Sequence, residues 1–295
     1  MSYYKVLGFQ KEPFSTSPDP GFFYMSKEHE IALMNILIEL RLKRGLSVIL
    51  GDIGTGKTTL SRKLIQELKK REAFIFHMIL DPSFDNEQLF LTSLSRNFDI
   101  DIESGKSFTI LDLRESLERF LFQKGVEEGK TTVLIIDEAQ KLTENSLEIL
   151  RTLLNYETNE YKLLQLVLLG QMELHYKIMN MQNFFDRISF KYTLNPLNFE
   201  ETREMVEFRI RQAGYKSNMY LFLDDAIREI HQHSRGYPRQ ITMLCHKALT
   251  KLVLLNKSVV DSGLIREITD KEIITDKEIK TGWHRKDPLL QRNNY

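Results

Sequence analysis

Between the apolar run Ser47–Leu50 and a segment of helical period, Thr59–Arg71, stands Gly51-Asp-Ile-Gly-Thr-Gly-Lys57-Thr58. This is a G-x-x-x-x-G-K-[ST] loop in the strand–loop–helix setting such a loop needs. Its glycines let successive backbone N–H groups curl around phosphate oxygens with no Cβ in the way. The N-terminus of the following helix adds favourable partial charge. The pattern assigns Gly51, Asp52, Ile53, Gly54, Thr55, Gly56, Lys57, Thr58 and Thr59 to nucleotide binding. Lys57 is expected to reach the β- and γ-phosphates, and the Thr58 hydroxyl to ligate Mg2+.

A second feature answers the first. Val133-Leu-Ile-Ile-Asp137-Glu138 ends a β-branched apolar run in two carboxylates. Ligand crevices of open α/β sheets lie at the carboxyl ends of the strands. A solvated acidic pair is also an ordinary way to end a strand. With the phosphate loop upstream, the functional reading is favoured: Asp137 holds the metal, directly or through water, and Glu138 polarises the attacking water. Together the two features predict binding of a nucleoside triphosphate and its hydrolysis.

The rest of the chain fits that setting. Strand-type runs at Ser47–Leu50, Phe74–Leu80, Val133–Ile136, Leu163–Leu169 and, more weakly, Ser189–Leu194 alternate with helix-period segments at Leu60–Arg71, Glu87–Phe98, Leu111–Glu127 and Glu144–Tyr156. Continuous apolar strands alternating with amphipathic helices predict a parallel sheet covered on both faces. The expected organisation is an arm over 1–26, a three-layer α/β core over 27–195, a small helical domain over 197–280 and a frayed tail over 281–295. Within the core, 27–44 carries helical spacing through Ile31, Met34, Leu37, Ile38 and Leu42. Pro196 disfavours helix at Asn195, which places the linker there. Beyond it, Phe199–Ala213, Leu223–His233 and Tyr237–Leu255 read as helices. A tandem ITDKEI, 268–273 and 274–279, offers a capping box that starts a helix at Thr269 or at Thr275.

Composition removes other classes. Apolar residues are 42% and charged residues 28% of the 295, which is globular and not disordered usage. The charges cancel, 41 against 41, so no global footprint for nucleic acid or an anionic membrane is present. The single Cys245 excludes a disulfide within the chain and reads as a small buried residue. No stretch reaches about 18 uninterrupted apolar residues, so no membrane span is expected. The N-terminus lacks a secretory signal, and a cytoplasmic location follows as the expectation.

Several segments together resemble one family. Pro18-Asp19-Pro20 with Phe22-Phe23-Tyr24 resembles a P-D-P-x-F-x-Y opening. Leu163–Gln171 resembles a fourth core strand and the sensor after it, and Gly236-Tyr-Pro-Arg239 resembles a G-x-P-R lid segment. With the phosphate loop, these are similar to AAA+ ATPases of the ExeA/GspA type over about residues 3–280. The resemblance implies a P-loop NTPase core with a helical lid, ATP and Mg2+ as cofactors, and four further roles. Gln171 would be the polar sensor of the γ-phosphate, or a plain loop amide. Arg187 would be an arginine finger entering a neighbouring copy's site, or the ion-pair partner of Asp186 or a glutamate. Arg239 would be the lid sensor, or an exposed cation. Pro18 and Tyr24 would wall the adenine pocket, or simply pack the arm.

Catalytic duty would thus rest on Glu138, Lys57, Arg187 and Gln171. The type implies a homo-oligomer that remodels or assembles a partner in the secretion apparatus of the cell envelope. A DNA-bound regulator resembling the TnsC-like ATPases of mobile elements is the alternative, and a nucleotide-dependent scaffold without turnover is a third.

Overall fold

The computed structural model describes residues 2–15, 20–100, 108–216 and 220–270. They form two compact units, Pro18–Asn195 and Met1–Ser17 with Pro196–Tyr295. A single helical turn, α1 (Tyr3–Val6), begins the chain where the sequence suggested only an extended arm.

The larger unit runs α2 (Lys27–Leu42), β1 (Leu46–Gly51), α3 (Lys57–Leu68), β2 (Phe74–Ile79), α4 (Glu87–Asn97), α5 (Ile110–Phe122), β3 (Thr131–Ile136), α6 (Glu144–Leu153), β4 (Leu164–Gly170), α7 (Met172–Met179), α8 (Gln182–Phe185) and β5 (Ile188–Leu194). All strand pairs are parallel, in the order β2-β3-β4-β1-β5. The three central strands are buried along their whole length, which is why they read as continuous apolar runs. Alternate residues serve opposite faces. Ile49, Val133, Ile135, Val167 and Leu169 meet Ile36, Leu40, Leu60 and Leu64 of α2 and α3. Val48, Leu50, Leu134, Ile136 and Leu168 meet Phe90, Leu113, Leu117 and Leu147 of α4, α5 and α6. The edge strand β5 alternates instead, turning Phe190, Tyr192 and Leu194 inward and leaving Ser189 and Lys191 exposed.

The smaller unit adds α9 (Phe199–Gln212), α10 (Asp224–Ser234), α11 (Pro238–Leu254) and α12 (262–270). Asn198 and Glu201 close a capping box at the start of α9. Arg209 is buried, donating to the carbonyls of Pro13 and Ser15 and to the Thr242 hydroxyl, so the arm before Ser15 is tied to α9 and α11. Cys245 is buried, and its thiol is pushed up by that burial.

Two expectations need correction, and α2 packs by a face that its spacing did not single out. Thr269 does not start a helix. It lies inside α12, back-bonding to the carbonyls of Ile265 and Arg266, and the cap is Asp261, which accepts from the Leu264 N–H. The second ITDKEI copy lies outside the described residues. The helix expected over Leu111–Glu127 is α-helical only to Phe122 and closes in a π turn, Gln123–Glu127. In α2, the residues that set the sequence period are mostly on the outside: Ile31, Met34, Ile38 and Leu42 are exposed, while Ala32, Leu33, Ile36 and Leu40 enter the core.

Candidate nucleotide site

The strand register builds the site. Leu50 pairs with Gly170 and Ile136 with Leu168, so β1, β4 and β3 end at one edge of the sheet. There the loop after β1, the residue after β4 (Gln171) and the acids after β3 stand side by side, with β4 between the other two strands.

Gly56 has φ of 98° and forms the N-terminal boundary of α3, which carries no side-chain cap. The left-handed backbone suits glycine, and a Cβ there would also meet the His29 ring at 2.8 Å. The backbone N–H groups of Gly54, Gly56, Lys57 and Thr58 have no hydrogen-bond acceptor among the described residues. Four such donors around one curl, at a helix N-terminus, make an anion cradle. Ile53 and Asp52 are exposed on its rim. Thr55 is buried and closes the curl by donating from its hydroxyl to the Asp52 carbonyl at 2.9 Å.

Lys57 is only 6% exposed. Its ammonium donates to the carbonyls of Gly51 at 2.7 Å and Asp52 at 2.9 Å. Burial pulls its proton affinity down, and the charges of Glu138, Asp137, Asp52 and Glu173 oppose that pull. Asp137 is 1% exposed, and burial pushes its carboxyl up. The nearby Thr58 hydroxyl and the Glu138 backbone N–H, which donates to it at 3.0 Å, partly offset that push. The loop and the acidic strand end therefore share one electrostatic environment, with the charges of both acids acting on the buried Lys57.

Glu138 sits at φ 52°, a left-handed position that a non-glycine residue rarely holds. Its carboxylate accepts from the Gln140 amide at 2.6 Å, and the other end of that amide accepts the Gln171 N–H at 3.1 Å. Gln140 is thus a clasp between Glu138 and the end of β4. Lys177 secures the same turn by donating to the carbonyls of Gln140 and Leu142.

Sequence reasoning missed Gln140 and also His29. His29 is buried in the first turn of α2, between the Ser26 hydroxyl at 2.6 Å and the Thr55 carbonyl at 2.9 Å. A carbonyl only accepts, so the Nε2 carries the proton and the ring donates to the phosphate loop. A polar residue one turn before Ala32 and Leu33, on their face, was the available signal.

Arg187 is not at this site. It precedes β5, whose Ile188 pairs with Leu46 and whose Leu194 pairs with Gly51. It therefore stands at the amino edge of the sheet, roughly 20 Å of strand away from the loop. Its side chain has no hydrogen bond or ion pair among the described residues, and Asp186 accepts from Gln182 instead. Arg239 is exposed in the first turn of α11, in the other compact unit. Tyr24 is half-buried, and Pro18 lies outside the described residues. Among the described residues no cluster of three His, Cys, Asp or Glu could hold a metal, and no helix is long and apolar enough to cross a membrane.

The AAA domain family matches residues 40–178, from the end of α2 through nearly all of α7. The general secretion pathway protein A of Aeromonas hydrophila is 35% identical over 249 residues, 84% of this chain and 44% of that protein. The chain thus spans less than half the length of that relative. Among solved structures, the Aeropyrum pernix ORC2 protein in ADPNP-ADP complexes superposes with a TM-score of 0.60 at 16% identity, over 84% of this chain and 70% of its own. The Aeropyrum pernix ORC1 protein in complex with DNA gives 0.63 at 13% identity, over 95% and 73%. At those identities the likeness is one of fold. It agrees with the parallel sheet order and with the P-loop AAA+ architecture expected from the sequence.

Proposed function

We propose that this chain, an AAA+ protein related to general secretion pathway protein A, binds Mg-ATP at the Gly51–Thr58 loop and hydrolyses it. Turnover then takes place in an oligomer whose nucleotide sites are shared between copies. The observation that carries the reading is that the unpartnered loop N–H groups and the Asp137–Glu138 strand end lie at one edge of the sheet, where the charges of both acids act on the buried Lys57.

The donor set fits a hard cation. Thr58 and Asp137 offer oxygen ligands, and Asp137 is a buried carboxyl that a cation would hold in its charged form. Mg2+, when bound, would neutralise charge on the phosphates. The chain's own groups do the rest. The four loop N–H groups and Lys57 hold the polyphosphate, which exchanges the Lys57 contacts to Gly51 and Asp52 for phosphate oxygens. Glu138, released from Gln140, takes up the attacking water, and Gln171 senses the γ-phosphate from between the two strands. Arg239 acts as the sensor carried by the helical unit.

Arg187 supplies the missing cation to another copy. It lies at the opposite sheet edge from its own loop, with its guanidinium unpaired among the described residues. Hydrolysis then depends on assembly, and the cycle drives remodelling or assembly of a partner. The relative's name points to secretion machinery as the partner. The DNA-bound reading draws support from the fold likeness to a DNA-complexed protein, and against it stands the balanced charge of 41 and 41.

Mixing tests the shared site. Arg187→Ala and Lys57→Ala proteins should each lose about 100-fold or more of turnover. A mixture should regain measurable ATPase, because a Lys57→Ala copy still offers Arg187 to an intact neighbouring loop. Two inactive proteins that stay inactive when mixed would remove the shared-site reading.

A further inference from the structure

The helix α2 is apolar on both sides. Its inner face is consumed by the core, yet Ile31, Met34, Ile38 and Leu42 are 46%, 65%, 45% and 50% exposed. They recur every three or four residues, so they form one stripe along the outer face. A surface helix ordinarily carries charge there, and a helix apolar all round is normally covered. Beside the stripe, α2 and α3 enclose a groove of about 610 Å³, floored by Met25, Leu33, Met34, Leu37 and Ile38.

Its rim decides what covers it. Glu30 and Glu67 lie on it with Arg41 and Arg71, two of each sign. Balanced charge of this kind is not a recognition surface for an anionic membrane or nucleic acid, which need an excess of cations. On α2 itself the signs are separated. Exposed Glu30 is in the first turn and exposed Arg41 in the last, about 16 Å apart along the axis. Neither has an ion pair among the described residues. Met34 and Ile38 sit midway between them. Laid antiparallel on itself about that midpoint, the helix places Glu30 of each copy against Arg41 of the other, with the apolar stripe between. The surface is complementary to itself, which is the requirement for a two-fold interface.

We infer that the outer face of α2 is an isologous interface with a second copy of this chain, formed without nucleotide and separate from the contact through Arg187. It is built as stable interfaces are, with an apolar centre and a charged rim.

The test is sedimentation of the nucleotide-free full chain over a dilution series, in an Arg187→Ala background that removes the other contact. Wild-type α2 should give a dimer, and Met34→Glu a monomer with unaltered ATP affinity. Glu30→Arg and Arg41→Glu should each self-associate at least about tenfold more weakly, because each sets like charges opposite one another. Mixed with each other, these two should form a hetero-dimer at least as tight as wild type, since every facing pair is then of opposite sign. A monomeric wild type would overturn the proposal, as would a mixture no tighter than its components.

Discussion

Glu138→Gln should lower ATP turnover by about 10²- to 10³-fold while leaving ATP affinity within about threefold of wild type. The substitution keeps the size and planarity of the side chain and removes only its capacity to take a proton. The phosphate contacts lie elsewhere, on Lys57, Thr58 and the loop N–H groups, so binding should be spared. Glu138 does not point freely at the site: the Gln140 amide holds it at 2.6 Å, and Gln140 also takes the Gln171 N–H. Single-turnover ATPase measurements beside equilibrium binding separate the two quantities. Turnover within about threefold of wild type would show that another group handles the water.

The largest stability effect should come from Gly236→Ala. Gly236 has φ of 75°, and a Cβ there would lie 2.0 Å from the Leu197 carbonyl oxygen. The obstacle is backbone, so no rotamer relieves it. The Leu197 N–H also donates to the Gly236 carbonyl at 2.8 Å, and pushing the two segments apart breaks that bond. Left-handed backbone costs a further 1–2 kcal/mol or so for alanine. A loss of at least about 4 kcal/mol is expected, in the exceptional range for one substitution. Its neighbour Arg235 is also left-handed, at φ 51°, but there the substitution to glycine relieves strain, so Arg235→Gly should be neutral or stabilising. Urea unfolding of both variants checks the pair, and a Gly236→Ala protein within about 1 kcal/mol of wild type would contradict the packing argument. Part of the Gly236–Arg239 segment therefore exists to hold the start of α11 against Leu197.

The sequence was most legible where one local rule sufficed. The strands β1, β3 and β4 are buried throughout, so apolar runs reported them within a residue or two. The phosphate loop was readable because its chemistry is local. The fold and the resemblance to the secretion-protein type both held. The helix α7 went unread because it buries only Leu174 and Ile178, too few to set a period. The helical spacing of α2 was legible, but which face packs was not, because both faces are apolar and periodicity alone cannot choose between them. Thr269 misled through a real capping pattern that the helix from Asp261 overrides. His29 and Gln140 act through partners 26 and 31 residues away, Thr55 and Gln171, and such pairings appear only once the chain is folded.

The account rests on a backbone curl that grips a polyphosphate while Thr58 and Asp137 face it together. Titration calorimetry of ATP with and without Mg2+, on wild type, Lys57→Ala and Asp137→Asn, tests that directly. The expected result is Mg-dependent binding by wild type, at least about 100-fold weaker binding by Lys57→Ala, and loss of the Mg dependence in Asp137→Asn. Undiminished affinity in Lys57→Ala would place the nucleotide elsewhere on this chain.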